Sequence, residues 1–374
     1  MSLETASPPQ RRLAHPRHLL LATTLALLAG GLVMILSASS VEAFKLYGSS
    51  FLFFKRQLVG TVLGLALMLG LAAIDYRRLR RLARPLFAVV LVLLTAVLIP
   101  WVGVTRGGSS RWLAVGPFNL QPSELAKISL ILVSAHILAK KGARIADRRQ
   151  LTVPLLPMTG LVSLLVLAQP DLGTAIICAF SVMMVMFLAG ARSRHLGMIL
   201  LLGGVAAIVA ILGEGYRRAR LFSFLDPWAD PLNTGYQIIQ GQIALGSGGW
   251  LGVGLGASRQ KWSYLPNAHT DFIFAILGEE LGLVGTLAVL FLFVALVASG
   301  VRIARRAPDR FGFLLAGGLT AWIGVQALIN MGAVTGMLPI TGVPLPLLSF
   351  GGSSLLFTLA GIGILLSIAR RSRA

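Results

Sequence analysis

The strongest constraint on this chain is a succession of ten apolar segments at 19–38, 55–74, 85–102, 122–139, 151–168, 172–190, 196–213, 271–300, 312–332 and 352–369. A helix crossing about 30 Å of hydrocarbon needs roughly 20 apolar residues. The chain is 56% hydrophobic and only 12% charged, with a mean hydropathy of +0.83; soluble domains are about 45–50% apolar and about 25% charged. These features predict an all-α polytopic membrane protein of about ten spans, built as one domain over residues 1–374. The segment from 271 is long enough to tilt or to project beyond the bilayer. Only Gln169-Pro170-Asp171 separates the fifth and sixth segments, which predicts a tight hairpin.

The net charge of +20 does not point to nucleic acid, because Lys and Arg cluster in short segments between the apolar spans and no basic stretch is interleaved with exposed aromatics. Basic bias in short loops sets orientation instead. With residues 1–18 as a cytoplasmic tail, 22 of the 33 basic residues fall inside. Among them are Arg11, Arg12 and Arg17, the cluster Arg77–Arg84, Lys140–Arg149, Arg302–Arg310 and Arg370–Arg373. Both termini are then cytoplasmic, and 214–270 is one long extracytoplasmic loop. The first span lacks a small-residue cleavage site and reads as a retained anchor. Cys178 is the only cysteine, which rules out an intramolecular disulfide or a thiolate metal site. No convincing internal repeat is present, which weakens a secondary-transporter reading.

In this orientation the polar, glycine-rich and proline-rich segments all face outward: 106–127, the hairpin tip 169–174, the loop 214–270, and 335–354. Asp271 stands where the long loop becomes an apolar segment. It fits a functional carboxylate and equally a helix N-cap. Glu124 and Lys127, three apart, share one helical face, either as a structural pair or toward a polar cavity. Asp171 reads first as turn chemistry. The run from Tyr216 to Leu225 alternates arginine with apolar residues, as in an interfacial helix that anchors the chain or binds phosphate. Glycines from 246 to 256 admit a phosphate-cradling loop or close backbone packing, with Arg259 and Lys261 just beyond. At 100° per residue Glu279 lies about 80° round from Asp271 and Glu280 on the opposite face, so they do not all line one site and are expected to be buried against polar helix faces.

Four motifs, in order, carry a resemblance: Gln121-Pro122-Ser123-Glu124 with Lys127, Gln169-Pro170-Asp171-Leu172-Gly173-Thr174, Ala268-His269-Thr270-Asp271-Phe272-Ile273-Phe274, and Pro344-Leu345-Pro346-Leu347-Leu348-Ser349-Phe350-Gly351-Gly352-Ser353-Ser354. Together they resemble the SEDS family (shape, elongation, division and sporulation) over nearly the whole chain. The run from Gly246 to Gly282 is more similar to the division branch than to the elongation branch. One departure is Asn267, where glutamate is expected in many relatives.

The resemblance implies ten helices and an inverting peptidoglycan glycosyltransferase in the bacterial cytoplasmic (inner) membrane, at the division septum. The implied substrate is lipid II, and a class B penicillin-binding protein is the implied transpeptidase partner beside other division proteins and membrane lipid. Asp271 matches the family's essential aspartate, here a general base. Glu124 and Lys127 match residues lining its cavity, and Gln121, Ser123, Asp171, His269, Thr270, Ser349 and Ser353 fall in the same motifs. Charge developing on pyrophosphate needs cations, from Lys127, Arg111, Arg259, Lys261 or a divalent ion such as Mg or Mn. The alternatives are a lipid II flippase, an elongation polymerase, and a scaffold that recruits division proteins.

Overall fold

The computed structural model describes residues 15–106, 109–116, 118–141 and 148–372. The sequence assignments made for Arg11, Arg12, Arg144, Arg373 and the rest of 142–147 lie outside the described residues. Each of the ten apolar segments falls on a helix: α1 (Pro16–Tyr47), α2 (Leu52–Ala73), α3 (Tyr76–Leu98), α4 (Pro122–Lys141), α5 (Arg148–Ala168), α6 (Leu172–Leu188), α7 (Ser193–Leu212), α10 (Ile273–Arg305), α11 (Arg310–Val334) and α12 (Gly352–Arg371). Among the described residues, eight helices are long and apolar enough to cross a membrane, while the apolar runs Val153–Ala168 and Leu172–Leu188 are shorter. The long loop folds as well, into α8 (Gly215–Leu225), a 3-10 turn at Pro227–Ala229 and α9 (Tyr236–Ser247).

Helices α4, α11 and α12 bury most of their residues and form the centre, whereas α7 buries none. Around that centre α12 packs on α2, α1 on α10, and α11 on α6 and α10. Lipid supplies no hydrophobic drive between helices, so small residues that allow close approach do much of the packing. A methyl group on Gly363 would lie 2.5 Å from the Met68 carbonyl oxygen of α2.

Two boundaries differ from the sequence reading. Helix α3 starts at Tyr76, not 85, because Asp75 caps it by accepting from the Arg77 backbone N–H (2.9 Å). The arginines of 77–84 therefore form the first turns of a helix whose charged end extends past its apolar stretch. The outward segment after the third span also carries strands, which an all-α reading does not include. They form an antiparallel sheet in the order β1 (Gly103–Arg106), β2 (Ser109–Val115) and β3 (Phe118–Leu120). Strands this short, rich in β-branched and aromatic residues, leave no trace in a search for 20-residue apolar windows.

Helix α10 is broken at Gly282, which sits at φ 66°, ψ −162°. A break strands backbone groups that cannot be left unpaired in a membrane. The glycine loop supplies their partners. Val253 and Gly254 donate to the Glu279 and Glu280 carbonyls (2.9 and 3.1 Å), while Leu283 and Val284 donate to the Gly249 and Trp250 carbonyls (2.9 and 3.1 Å). The glycines thus serve backbone approach to a neighbouring helix, the second of their two sequence readings.

The Glu279 side chain then accepts from Ser258 Oγ, the Arg259 N–H (2.9 Å) and the Gln260 N–H (3.4 Å). Glu280 accepts from Ser37 Oγ of α1 (2.6 Å) and from Lys261 Nζ (3.4 Å). Both carboxylates are buried, as their position on α10 predicts.

A methyl group on Gly282 would lie 2.5 Å from the Trp250 carbonyl oxygen and closer still to the Gly252 nitrogen, while one on Gly30 of α1 meets nothing within 4 Å. Gly282→Ala is expected to lower the unfolding temperature in detergent, since the unfavourable φ alone costs about 1–3 kcal/mol. Gly30→Ala should leave it unchanged or raise it by the roughly 1 kcal/mol helix preference of alanine. Equal melting temperatures for the two variants would show that the break is not under this constraint.

Candidate active site

Asp271 lies two residues ahead of α10, whose N-cap is Phe272 and carries no side-chain cap hydrogen bond. It is therefore not the cap that its sequence position allows. Its backbone is fixed instead: Asn330 Nδ2 of α11 donates to the Asp271 carbonyl and to the Val343 carbonyl, both at 2.8 Å. Upstream, Thr270 and Phe272 both donate to the Asn267 carbonyl (3.0 and 3.3 Å). The Asp271 carboxylate forms no hydrogen bond and no ion pair within 4.0 Å among the described residues. Burial pushes its pKa up to about 6, against the opposing pull of Arg220 and Arg111, with a further rise from Asp171 and a lowering by His269.

Gly342 closes this corner at φ +72°, where a methyl group would sit 3.5 Å from Asp271 Oδ2 and 3.7 Å from Arg220 Nη1. A glycine here leaves open the space between carboxylate and guanidinium. Arg220 comes from α8 and stacks its guanidinium on Tyr216 of the same helix (5.1 Å). The alternating arginines of 216–225 identify the helix but not which arginine reaches the site. Arg217 instead donates to the Ala210 and Leu167 carbonyls (3.0 and 3.1 Å).

Asp171, the second aspartate nearby, is fully engaged. It caps α6 by accepting from the Thr174 N–H (3.2 Å) and hydroxyl (2.9 Å), and it accepts from Gln121 Nε2 (3.3 Å). Arg111 on β2 lies 3.9 Å from it and donates to the Gln169 (2.9 Å) and Pro170 carbonyls, which fixes the guanidinium at the hairpin tip. Gln121 also donates to Ser123 Oγ (3.1 Å), and its backbone N–H reaches Ser353 Oγ (3.0 Å). Ser353 in turn donates to the Asn119 carbonyl (2.8 Å), and Ser349 Oγ accepts from the Leu345 N–H (2.8 Å). Ser353 thus ties the start of α12 to β3, while Ser349 closes a turn within the last loop. His269 pairs with Glu42 of α1 (3.1 Å) and stacks on Phe53 (4.9 Å).

Glu124 and Lys127 form a 2.8 Å ion pair at 1% and 0% exposure. Lys127 Nζ also donates to Gln326 Oε1 (2.8 Å), which accepts from Trp322 Nε1 (2.8 Å), and Gln326 Nε2 donates to the Pro344 carbonyl (3.1 Å). Gln326 lies one turn from Asn330 on α11 and shares its face. The pair is therefore sealed in the core just beneath the residues that anchor Asp271.

The structure brings Asp271 together with Arg111, Asp171, His269 and the unanticipated Arg220. It does not bring Lys261, which is held by Glu280, Ser37 and the Gly256 carbonyl, while Arg259 is exposed and anchored through its backbone to Glu279. No group of three or more His, Cys, Asp or Glu with metal-binding geometry occurs among the described residues.

Removing one partner of a buried pair leaves an uncompensated charge that costs about 3–5 kcal/mol, whereas removing both can be neutral. Lys127→Met is expected to be strongly destabilised in detergent melts, and Glu124→Gln/Lys127→Met to recover most of the loss. A double variant no better than the single one would contradict the pairing.

Residues 17–374 match the family described as cell cycle proteins, FtsW/RodA/SpoVE. The stage V sporulation protein E of Bacillus subtilis (strain 168) is 44% identical over 96% of this chain and 98% of its own. A probable peptidoglycan glycosyltransferase FtsW of Geobacter metallireducens is 44% identical over 95% and 94%. Among solved structures, a chain of a peptidoglycan synthase complex that coordinates polymerization and crosslinking superposes with a TM-score of 0.78 at 35% identity, covering 94% of this chain and 96% of that one. The rod shape determining protein RodA of Thermus thermophilus does so with a TM-score of 0.71 at 32% identity, covering 98% and 100%. With the helices and motifs already described, these similarities establish that the chain belongs to the FtsW/RodA/SpoVE family, the SEDS proteins.

Proposed function

We propose that the protein is a peptidoglycan glycosyltransferase that polymerises lipid II at the outer face of the bacterial cytoplasmic membrane. The observation that carries this reading is Asp271: a carboxylate with no hydrogen-bond donor among the described residues, its pKa raised to about 6 by burial, beside the Arg220 guanidinium at Gly342. A desolvated carboxylate near neutrality is suited to take a proton. Relatives named as glycosyltransferases support the same reaction.

The acceptor sugar 4-hydroxyl gives its proton to Asp271 as its oxygen attacks the donor's anomeric carbon. The bond from that carbon to the pyrophosphate oxygen breaks, and the lipid pyrophosphate leaves with the electron pair. Glycoside hydrolysis uses a second carboxyl group to protonate a poor leaving group; pyrophosphate needs none. Arg220 and Arg111 meet the growing negative charge, where planar guanidinium matches phosphate oxygens. Direct displacement inverts the anomeric centre and yields a β-1,4-linked strand. Glu124, Lys127, Gln326 and Asn330 hold the floor beneath. The solved relative that sits in a complex coordinating polymerization and crosslinking supports a transpeptidase partner of the class B penicillin-binding type. The division-like run from Gly246 to Gly282 supports a septal role.

The test is polymer formation from lipid II by the purified protein with its transpeptidase. Asp271→Asn should abolish polymer, and Arg220→Gln should reduce it. Wild-type rate should fall about tenfold per pH unit below 6, as the base becomes protonated. The stability sign is opposite to the activity sign. An acid whose folded pKa is raised favours the fold below its ordinary value of 3.8 and loses that contribution as pH rises through about 6. Asp271→Asn should therefore melt no lower than wild type at pH 7.5. Full activity in Asp271→Asn would remove this residue from the mechanism, and lipid transport without polymer would identify a flippase.

A further inference from the structure

The bundle end opposite Asp271 holds a cavity that the glycosyl transfer does not use. It is an open hollow of about 270 Å³ between the start of α1 and the end of α12, lined by His15, Arg17, His18, Ala369, Arg370 and Ser372. No lining residue is acidic. Neither Arg17 nor Arg370 makes an ion pair within 4.0 Å among the described residues. Asp75, which pairs with the neighbouring Arg371 (3.3 Å), is committed to that pair and to the cap of α3. His15 Nδ1 accepts from the Arg17 N–H (3.4 Å), which leaves its Nε2 free for a ligand, and the His18 ring stands edge-on to it at 6.0 Å.

The depth of this charge identifies its ligand. Arg17 lies in the first turn of α1 and Arg370 in the last turn of α12, both helices long and apolar enough to cross the bilayer. At that level the surroundings are lipid headgroups, and basic pockets between spanning helices attract anionic ones. The cavity is smaller than the roughly 300–1,000 Å³ that encloses a whole small molecule. It suits a headgroup whose acyl chains stay in the membrane. We propose that the α1–α12 cavity is a binding site for the phosphodiester headgroup of an anionic phospholipid, held by Arg17 and Arg370 with His15 and His18 as further donors.

Native mass spectrometry of the full chain, released from bilayers of equal parts phosphatidylglycerol and phosphatidylcholine, tests this. Wild type should retain phosphatidylglycerol over phosphatidylcholine. Arg17→Gln/Arg370→Gln should lower that retention about tenfold, and His15→Ala/His18→Ala should lower it less. Arg305→Gln/Arg306→Gln, which removes the same charge from the same end of the bundle, should retain the lipid as wild type does. The assignment fails if the cavity variant keeps its lipid or if the control loses as much. Displacement of the lipid by millimolar inorganic phosphate would make the ligand a soluble phosphate and overturn the lipid assignment.

Discussion

Backbone polar groups in a hydrocarbon layer must find partners, and the upper half of this molecule is arranged around one place where a helix cannot provide them. The break at Gly282 frees carbonyls and amides in the first third of α10, and residues 249–254 enter to meet them. Glu279 and Glu280 then gather the following residues through Ser258, Arg259, Gln260 and Lys261. The chain that leads to Asp271 is thus pinned to the helix that follows it. A long loop without a core of its own gains a defined path from hydrogen bonds a straight helix would have kept to itself.

Within that frame, two aspartates at helix starts have different environments. Asp171 accepts from three donors and lies near Arg111, as a capping residue should. Asp271 is held by its backbone while its carboxylate is left without a donor. Satisfying a buried carboxylate stabilises its charged form and makes it a poor base; withholding donors does the reverse. A carboxylate left in this state costs stability, and the backbone anchoring by Asn330 holds it in place.

The membrane spans were legible because twenty-residue hydrophobicity is a coarse, local signal. Asp271, Glu124 and Lys127 could be singled out because charges next to apolar segments are scarce. Features that depend on pairing between distant segments were not legible. The sheet of 103–120 needs three short strands to meet. The role of the 246–256 glycines appears only once the gap at Gly282 is known. Lys261 looked available for an anion because its partners, Ser37 and Glu280, are 224 and 19 residues away. Arg220 was one of three arginines in a helix whose rotation sequence alone does not determine.

The amide of Asn330 has a mechanical consequence. One side chain holds the Asp271 carbonyl with one hydrogen bond and the Val343 carbonyl with another, so two loops more than seventy residues apart are riveted to a single point on α11. The position of the aspartate is therefore tied to that of α11 and of the last loop through a side chain that does not touch its carboxylate.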